Sequence, residues 1–438
     1  MQRDPFHVDR KLAEAARAWL AWRRALRHGT GSDHRFERLG AFASRELVLE
    51  LEAAGARDPL APALAAWARR LHFEHETAEL VARREHAYRG ERHAMNAPEP
   101  GEFSLRELLD AALADAKGAR RAALDALVRH APHAAELELR RWELRLELAT
   151  ALGDAKGETN PLGALDAPKL AEAFLDATAA PFAELGARDL SSLLALGLGR
   201  ESFASWPGRL TARSLASLFD EAKWLEHVAL DLDELPRPFG ASSFLRGLAA
   251  FGAALGASLT PVKLPFVLAR EPFDLRGERL GALFALVPFG ESFARRKLDV
   301  PRQRYAEHRR VLSRIALVAA RALALRVLLR APALAGSRAL KEAYPELVFR
   351  ALAVEVAPSA AGVLFRARVS DPARFVGLLA GAEERARLER VHDEDWYRNP
   401  RAVTEVRETV RQSAAEPPSA ETLERGAREL AALAENAL

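Results

Sequence analysis

Residues Gly240–Leu286 read GASSFLRGLAAFGAALGASLTPVKLPFVLAREPFDLRGERLGALFAL, two Ala/Leu/Gly segments joined by a loop containing Pro261 and Pro265. In the first segment Phe244, Leu245, Leu248, Phe251 and Leu255 recur at i, i+1, i+4, i+7 and i+11, the apolar stripe of one helix. Beside it run Ala249, Ala253 and Gly256, small enough for a neighbouring element to approach closely. The spacing predicts a buried helix over Phe244–Ser258, near the middle of the fold. Almost nothing in that helix can do chemistry.

Outward from this stretch the chain keeps the same character. Ala, Leu, Arg and Glu dominate from end to end, and these are strong helix formers. Helical periodicity predicts His7–Leu26, Arg45–Ala54, Pro62–Arg89, Ser104–Leu113, Ala119–His130 and Pro132–Leu152 on the N-terminal side. Further helices are expected at Pro168–Ala180, Asp189–Gly197, Thr211–His227, Arg304–Leu329, Ser337–Ala351, Asp371–Val391, Pro400–Ala414 and Ser419–Leu438. The best strand candidate is Ala351–Phe365, which Pro358 interrupts. No fixed-period repeat is visible. The expected class is all-α: a large helical bundle with an N-terminal lobe (1–152), a Gly/Asn/Pro-punctuated linker (153–168) and a C-terminal lobe (169–438).

The 438 residues carry 64 basic and 61 acidic side chains, so the net charge is only +3. Signs alternate along most segments, as on solvated helix faces, and no one-sided basic stripe with interleaved aromatics suggests nucleic acid. There are no cysteines, which excludes disulfides and thiolate metal sites and fits a reducing compartment. The longest apolar run, Ile315–Leu329, is short and is interrupted by Arg321 and Arg326, so no bilayer span is expected there. A cytoplasmic protein is the expectation, with no membrane partner.

Candidate chemistry is sparse. His72, His75 and Glu79 fall at i, i+3 and i+7, and two imidazoles with a carboxylate on one helical face could hold a divalent metal. The alternative is a charged, solvated face that happens to carry histidines. Acidic groups Asp231/Asp233/Glu234 and Asp393/Glu394/Asp395 sit beside Pro or aromatic residues and read as helix caps or solvated carboxylates. No HExxH, GxSxG, P-loop or dinucleotide fingerprint occurs.

His392–Glu408, HDEDWYRNPRAVTEVRE, resembles the C-terminal DWxxNPxAGxxLRE region of helical gluzincin zinc peptidases: oligoendopeptidases, thimet oligopeptidase and the angiotensin-converting-enzyme-like carboxypeptidases. The order of elements upstream is similar too. A family segment like LLHExGHALHFAH, then LPFE, a TEGYAFLFE-like helix and a long helix is matched here by FLRGLAAFGAALGAS, LPFVLAR, RGERLGALFAL and the helix from Arg304. The resemblance spans roughly Leu190 to Glu408. It implies two helical lobes around a central groove.

The resemblance also implies where chemistry has gone. Aligned on Gly252, the HExxH positions read Ala249, Ala250, Phe251, Gly252 and Ala253, so both imidazoles and the general base become methyl groups. The third ligand falls on Leu280 when Gly281 is matched. Glu278, two residues earlier, lies about 200° round the helix. The transition-state tyrosine corresponds to Phe375. These positions imply no cofactor and no zinc. The expectation is a non-catalytic pseudo-peptidase that binds a protein or peptide partner or serves in regulation or assembly. The alternatives are a hydrolase with a metal relocated to His72, His75 and Glu79, and a small-molecule binder using the vacated cleft.

Overall fold

The computed structural model describes residues 4–30, 38, 40–55, 58–95, 100–113, 117–153, 162, 165–185, 189–198, 206–207, 210, 224, 240–261, 263–412 and 417–435. Most of the expected linker, the expected helix Thr211–His227 apart from Trp224, and Asp231, Asp233 and Glu234 lie outside them. Helices occupy the described chain almost throughout. The N-terminal set is α1 (Pro5–His28), α2 (Arg45–Ala54), α3 (Ala61–Glu76), α4 (Ala78–Gly90), α5 (Leu105–Ala112), α6 (Lys117–His130) and α7 (Pro132–Ala151). Then come α8 (Ala167–Ala177), α9 (Ala179–Ala183), α10 (Leu190–Leu198), α11 (Ala241–Leu259), α12 (Phe266–Ala269), α13 (Leu275–Ala285) and α14 (Glu291–Lys297). The chain finishes with α15 (Tyr305–Leu328), α16 (Arg330–Leu334), α17 (Ser337–Leu352), α18 (Asp371–His392), α19 (Pro400–Gln412) and α20 (Ala420–Glu435).

Local chemistry sets the helix ends. Asp4 accepts a hydrogen bond from Phe6 N at 3.1 Å to open α1, with Pro5 at the first position and Gly29 closing it at φ 69°. Ser104 and Glu107 form a reciprocal capping box on α5. Two helices expected to be continuous are broken by threonines. Thr77 hands its hydroxyl to Phe73 O at 2.8 Å and separates α3 from α4, and Thr178 does the same to Phe174 O at 2.7 Å between α8 and α9. A hydroxyl that bonds the carbonyl four residues back competes with the helix ladder.

The strand expectation at Ala351–Phe365 is wrong. Ala353 adopts a left-handed φ of 51°, Phe365 one of 47°, and a 3₁₀ turn at Pro358–Ala360 fills the interval. Among the described residues strands occur instead at β1 (His93–Met95) and β2 (Gly101–Phe103), one antiparallel hairpin.

Apolar side chains collect in two cores. The smaller draws on α1, α2 and α3, with Leu152 and Val267; the larger runs from Ala87 to Ala434 and includes α5, α6 and most of α7. The two cores therefore do not divide at residues 153–168.

Glycines build the centre of the larger core. A Cβ on Gly252 of α11 would lie 2.5 Å from Leu280 C, and one on Gly281 of α13 would lie 2.9 Å from Ala249 O. The pattern repeats outward: Gly377 and Gly381 of α18 abut the backbone of α13 at Arg279, and Gly426 of α20 abuts Leu379 of α18. Four helices thus stack in the order α11, α13, α18, α20 with backbones in contact, a spacing that any side chain at these glycines would prevent.

Candidate functional site

Four of the five residues of the predicted stripe on α11 are buried, Phe244, Leu248 and Phe251 with no exposed surface and Leu255 with 1%, while Leu245 is half-buried. The helix is long and apolar enough to cross a membrane by length and composition, but its stripe is core. Ala249, Ala250 and Ala253 lie half-buried on the next face, while Ala257 and Ser258 are exposed. Ala249 and Leu280 meet where α11 crosses α13, since Gly281 sits against the Ala249 backbone and Gly252 against Leu280. None of Ala249, Ala250, Ala253 or Leu280 carries a lone pair. Zinc is held by nitrogen, sulfur or oxygen donors, so these four residues do not fit it.

The crossing is held from the N-terminal side. Buried Asp9 of α1 accepts from Phe266 N at 2.9 Å and Val267 N at 3.0 Å, capping the short α12. Trp67 of α3 donates Nε1 to Arg270 O at 2.6 Å, and the Arg70 guanidinium bonds Pro272 O between the rings of Trp19 and Phe273. The chain from Phe266 to Pro272 is therefore fixed to α1 and α3. At the C-terminal end of α11 a small cavity of about 30 Å³ is lined by Gly256, Ala257, Thr260, Glu271, Asp274 and Arg276, among others. Burial pushes both Glu271 and Asp274 above the usual carboxylate range.

Sequence-predicted sites fare differently. His72 is buried and spends Nδ1 on Ala43 O at 2.9 Å. His75 packs against Gly40, and Glu79 lies beyond the Thr77 break, exposed on α4. The structure does not bring the three together, and among the described residues no three His, Asp or Glu side chains form a metal-holding group. Phe375 is fully buried, edge-on to Phe174 at 5.8 Å, and so faces the core. Its neighbour Arg374 turns the other way and meets Glu278 of α13 at 3.6 Å. Glu394 caps α14 through Glu291 N and Ser292 N.

Beside the crossing, sequence reasoning singled out Glu278 but missed the charged groups Asp371, Arg326 and Arg368. Asp371, with no exposed surface, takes Arg326 Nη2 at 3.1 Å and Arg368 N at 2.7 Å. Burial, which outweighs the nearby Arg374, raises Glu278. Desolvation, with Arg326 and Arg374 alongside, pulls Arg368 down to about 9. No helical periodicity marks these residues; they lie on separate segments that only tertiary packing joins.

No protein-family model and no curated protein sequence matches the chain. Two solved structures are similar in fold. One is PZ peptidase A with an inhibitor, at TM-score 0.50 and 11% identity, covering 96% of this chain and 82% of that one. The other is an oligoendopeptidase F from Bacillus anthracis, also at TM-score 0.50 and 11% identity, covering 98% and 85%. The likeness runs over nearly the whole chain and carries the all-α architecture.

Proposed function

We propose that the chain is a non-catalytic relative of the helical zinc peptidases that works by binding, with a protein or peptide as partner. The observation that carries this reading is the crossing of α11 and α13. There stand Ala249, Ala253, Ala250 and Leu280, the residues that the sequence resemblance sets against two imidazoles, a general base and a third carboxylate ligand. Hydrolysis of this kind needs a water whose pKa a metal has lowered to about 7. Methyl and isobutyl groups can neither hold the metal nor take the proton. The Gly252–Gly281 contact makes structural sense of the change, since a buried unpaired carboxylate or imidazole would cost stability once a metal was gone.

The relocated hydrolase is the weaker reading because His72 is already bonded to Ala43 and Thr77 separates Glu79 from the histidines. The test is a mixed-peptide cleavage assay on the full chain with and without chelator. No turnover in either arm is expected. Turnover abolished by chelator would overturn the proposal.

A further inference from the structure

We propose that the cavity between the C-terminal end of α11 and the start of α13 captures the free N-terminus of a peptide. Such a site rests on the reading of the chain as a peptide binder and names the end of the peptide that it holds. The acetylated peptide used below separates a failure of the site from a failure of that reading.

Oxygen acceptors from three places line this one cavity of about 30 Å³. Glu271 spends Oε2 on Leu275 N at 3.3 Å, while its Oε1 is buried with no hydrogen-bond partner. Asp274 spends Oδ1 on Gly277 N at 3.2 Å, which leaves Oδ2 to another donor. Among the described residues neither carboxylate makes an ion pair. The third acceptor is the end of α11, where Ala257 O lacks its ladder partner because Pro261, four residues on, carries no N–H. The partial negative charge of a helix C-terminus adds to that of the two carboxylates. An ammonium group has three N–H donors and is satisfied by three such acceptors.

Shape and charge select among cations. Gly256 is buried at the base, while Ala257, Arg270 and Asp274 are exposed and form the mouth. The volume equals about two water molecules, room for an ammonium and the carbon that bears it, with the rest of a peptide outside. Calcium takes about six to eight oxygens, more than two half-spent carboxylates provide. Arg270 and Arg276 share the wall, Arg276 Nη1 being held on Thr260 Oγ1 at 3.2 Å. These guanidinium groups repel a bare cation and suit one that carries an oxygen acceptor beside its charge. A peptide N-terminus has that pattern, an ammonium followed directly by a carbonyl oxygen. The other charges facing the carboxylate pair are Arg70 of α3 and Glu278 and Arg279 of α13.

The experiment is calorimetric titration of the full chain with trialanine amide, N-acetyl-trialanine amide and calcium chloride as separate probes. Wild type is compared with the Glu271→Gln, Asp274→Asn and Glu342→Gln variants, with melting curves for each. Gln keeps the acceptor for Leu275 N, and Asn keeps both the helix cap and the left-handed φ of 50° at residue 274, so both variants should fold. Trialanine amide should bind wild type saturably and at least about tenfold more tightly than its acetylated form, and Glu271→Gln and Asp274→Asn should each weaken it by about tenfold. Glu342, 65% exposed on α17, should not matter. Burial holds Glu271 and Asp274 above the usual carboxylate range, and only their charged forms attract an ammonium. Binding should therefore release protons and weaken as pH falls toward about 5. Equal binding of the acetylated peptide overturns the site and leaves peptide binding standing. No binding of trialanine amide, calcium bound in its place, or affinity unchanged in both Glu271→Gln and Asp274→Asn also overturns the site.

Discussion

Gly252→Ala isolates the contact on which the centre of the fold depends. The added Cβ would lie 2.5 Å from Leu280 C and 2.8 Å from Gly281 N, and closer still to Leu280 O. Carbon atoms rest at about 3.5–4.0 Å, so α11 and α13 must separate by about 1 Å at their crossing. The obstructing atoms are backbone, and no rotamer change relieves them. Overpacking typically costs about 1–3 kcal/mol, and a rigid backbone puts this site at the upper end. Alanine's better helix propensity returns at most about 1 kcal/mol, leaving a net loss of about 2–3 kcal/mol.

Gly256→Ala is the matched control one turn along. Its Cβ would meet Leu280 Cδ1 at 2.8 Å, the tip of a flexible side chain, and the next atom, Gly277 Cα, only at 3.8 Å. It should change stability by less than about 1 kcal/mol, in either direction. Denaturant unfolding of the two variants, with midpoint and slope both recorded, measures the difference. If Gly252→Ala proved as stable as wild type, or Gly256→Ala the more damaging, the close-packed crossing would be refuted.

Two other predictions follow from burial and charge. Trp396, 1% exposed and packed on Phe284, Trp224 and Tyr397, should cost about 3–5 kcal/mol when replaced by Ala, and an unchanged melting curve would remove it from the core. Glu74 is buried, and burial alone would raise its carboxyl, but Arg141 and Arg145, with Arg23 and Arg70 beyond them, hold it at about 2. A carboxylate depressed in the fold stabilises above its unfolded value near 4.5 and loses that contribution as pH falls through the folded value. At 1.36 kcal/mol per pH unit the loss between about pH 5 and pH 2 is about 3 kcal/mol. Glu278 and Asp274, raised by burial, act with the opposite sign and blunt it. Glu74→Gln should lower stability at pH 7 and flatten this acid limb; an unaltered limb would contradict the assignment.

Much of the architecture was written in local pattern. The Phe244, Leu248, Phe251, Leu255 stripe is buried as the 3.6-residue period requires, and Arg45–Ala54 is a helix with the predicted ends because Ser44 caps it. Pro400 opens α19, as its fixed φ and missing N–H favour. The breaks at Thr77 and Thr178 were not legible, since a threonine inside a periodic run shows its carbonyl bond only once the turn is built. Gly377 and Gly381 did carry a readable signal: small residues four apart on one helix face invite a close neighbour. The Arg326–Asp371 pair had none: Arg326 lies inside the apolar run Ile315–Leu329, and its meeting with Asp371 depends on how α15 and α18 pack.

The central claim is that a peptidase-like helical fold here carries residues that cannot support zinc chemistry at the α11–α13 crossing. The most direct test is elemental analysis of protein prepared without chelator, beside the quadruple variant Ala249→His, Ala250→Glu, Ala253→His, Leu280→Glu. Wild type should contain no stoichiometric zinc, and the variant should melt lower than wild type unless zinc is added. One equivalent of zinc in the wild-type protein would contradict the account.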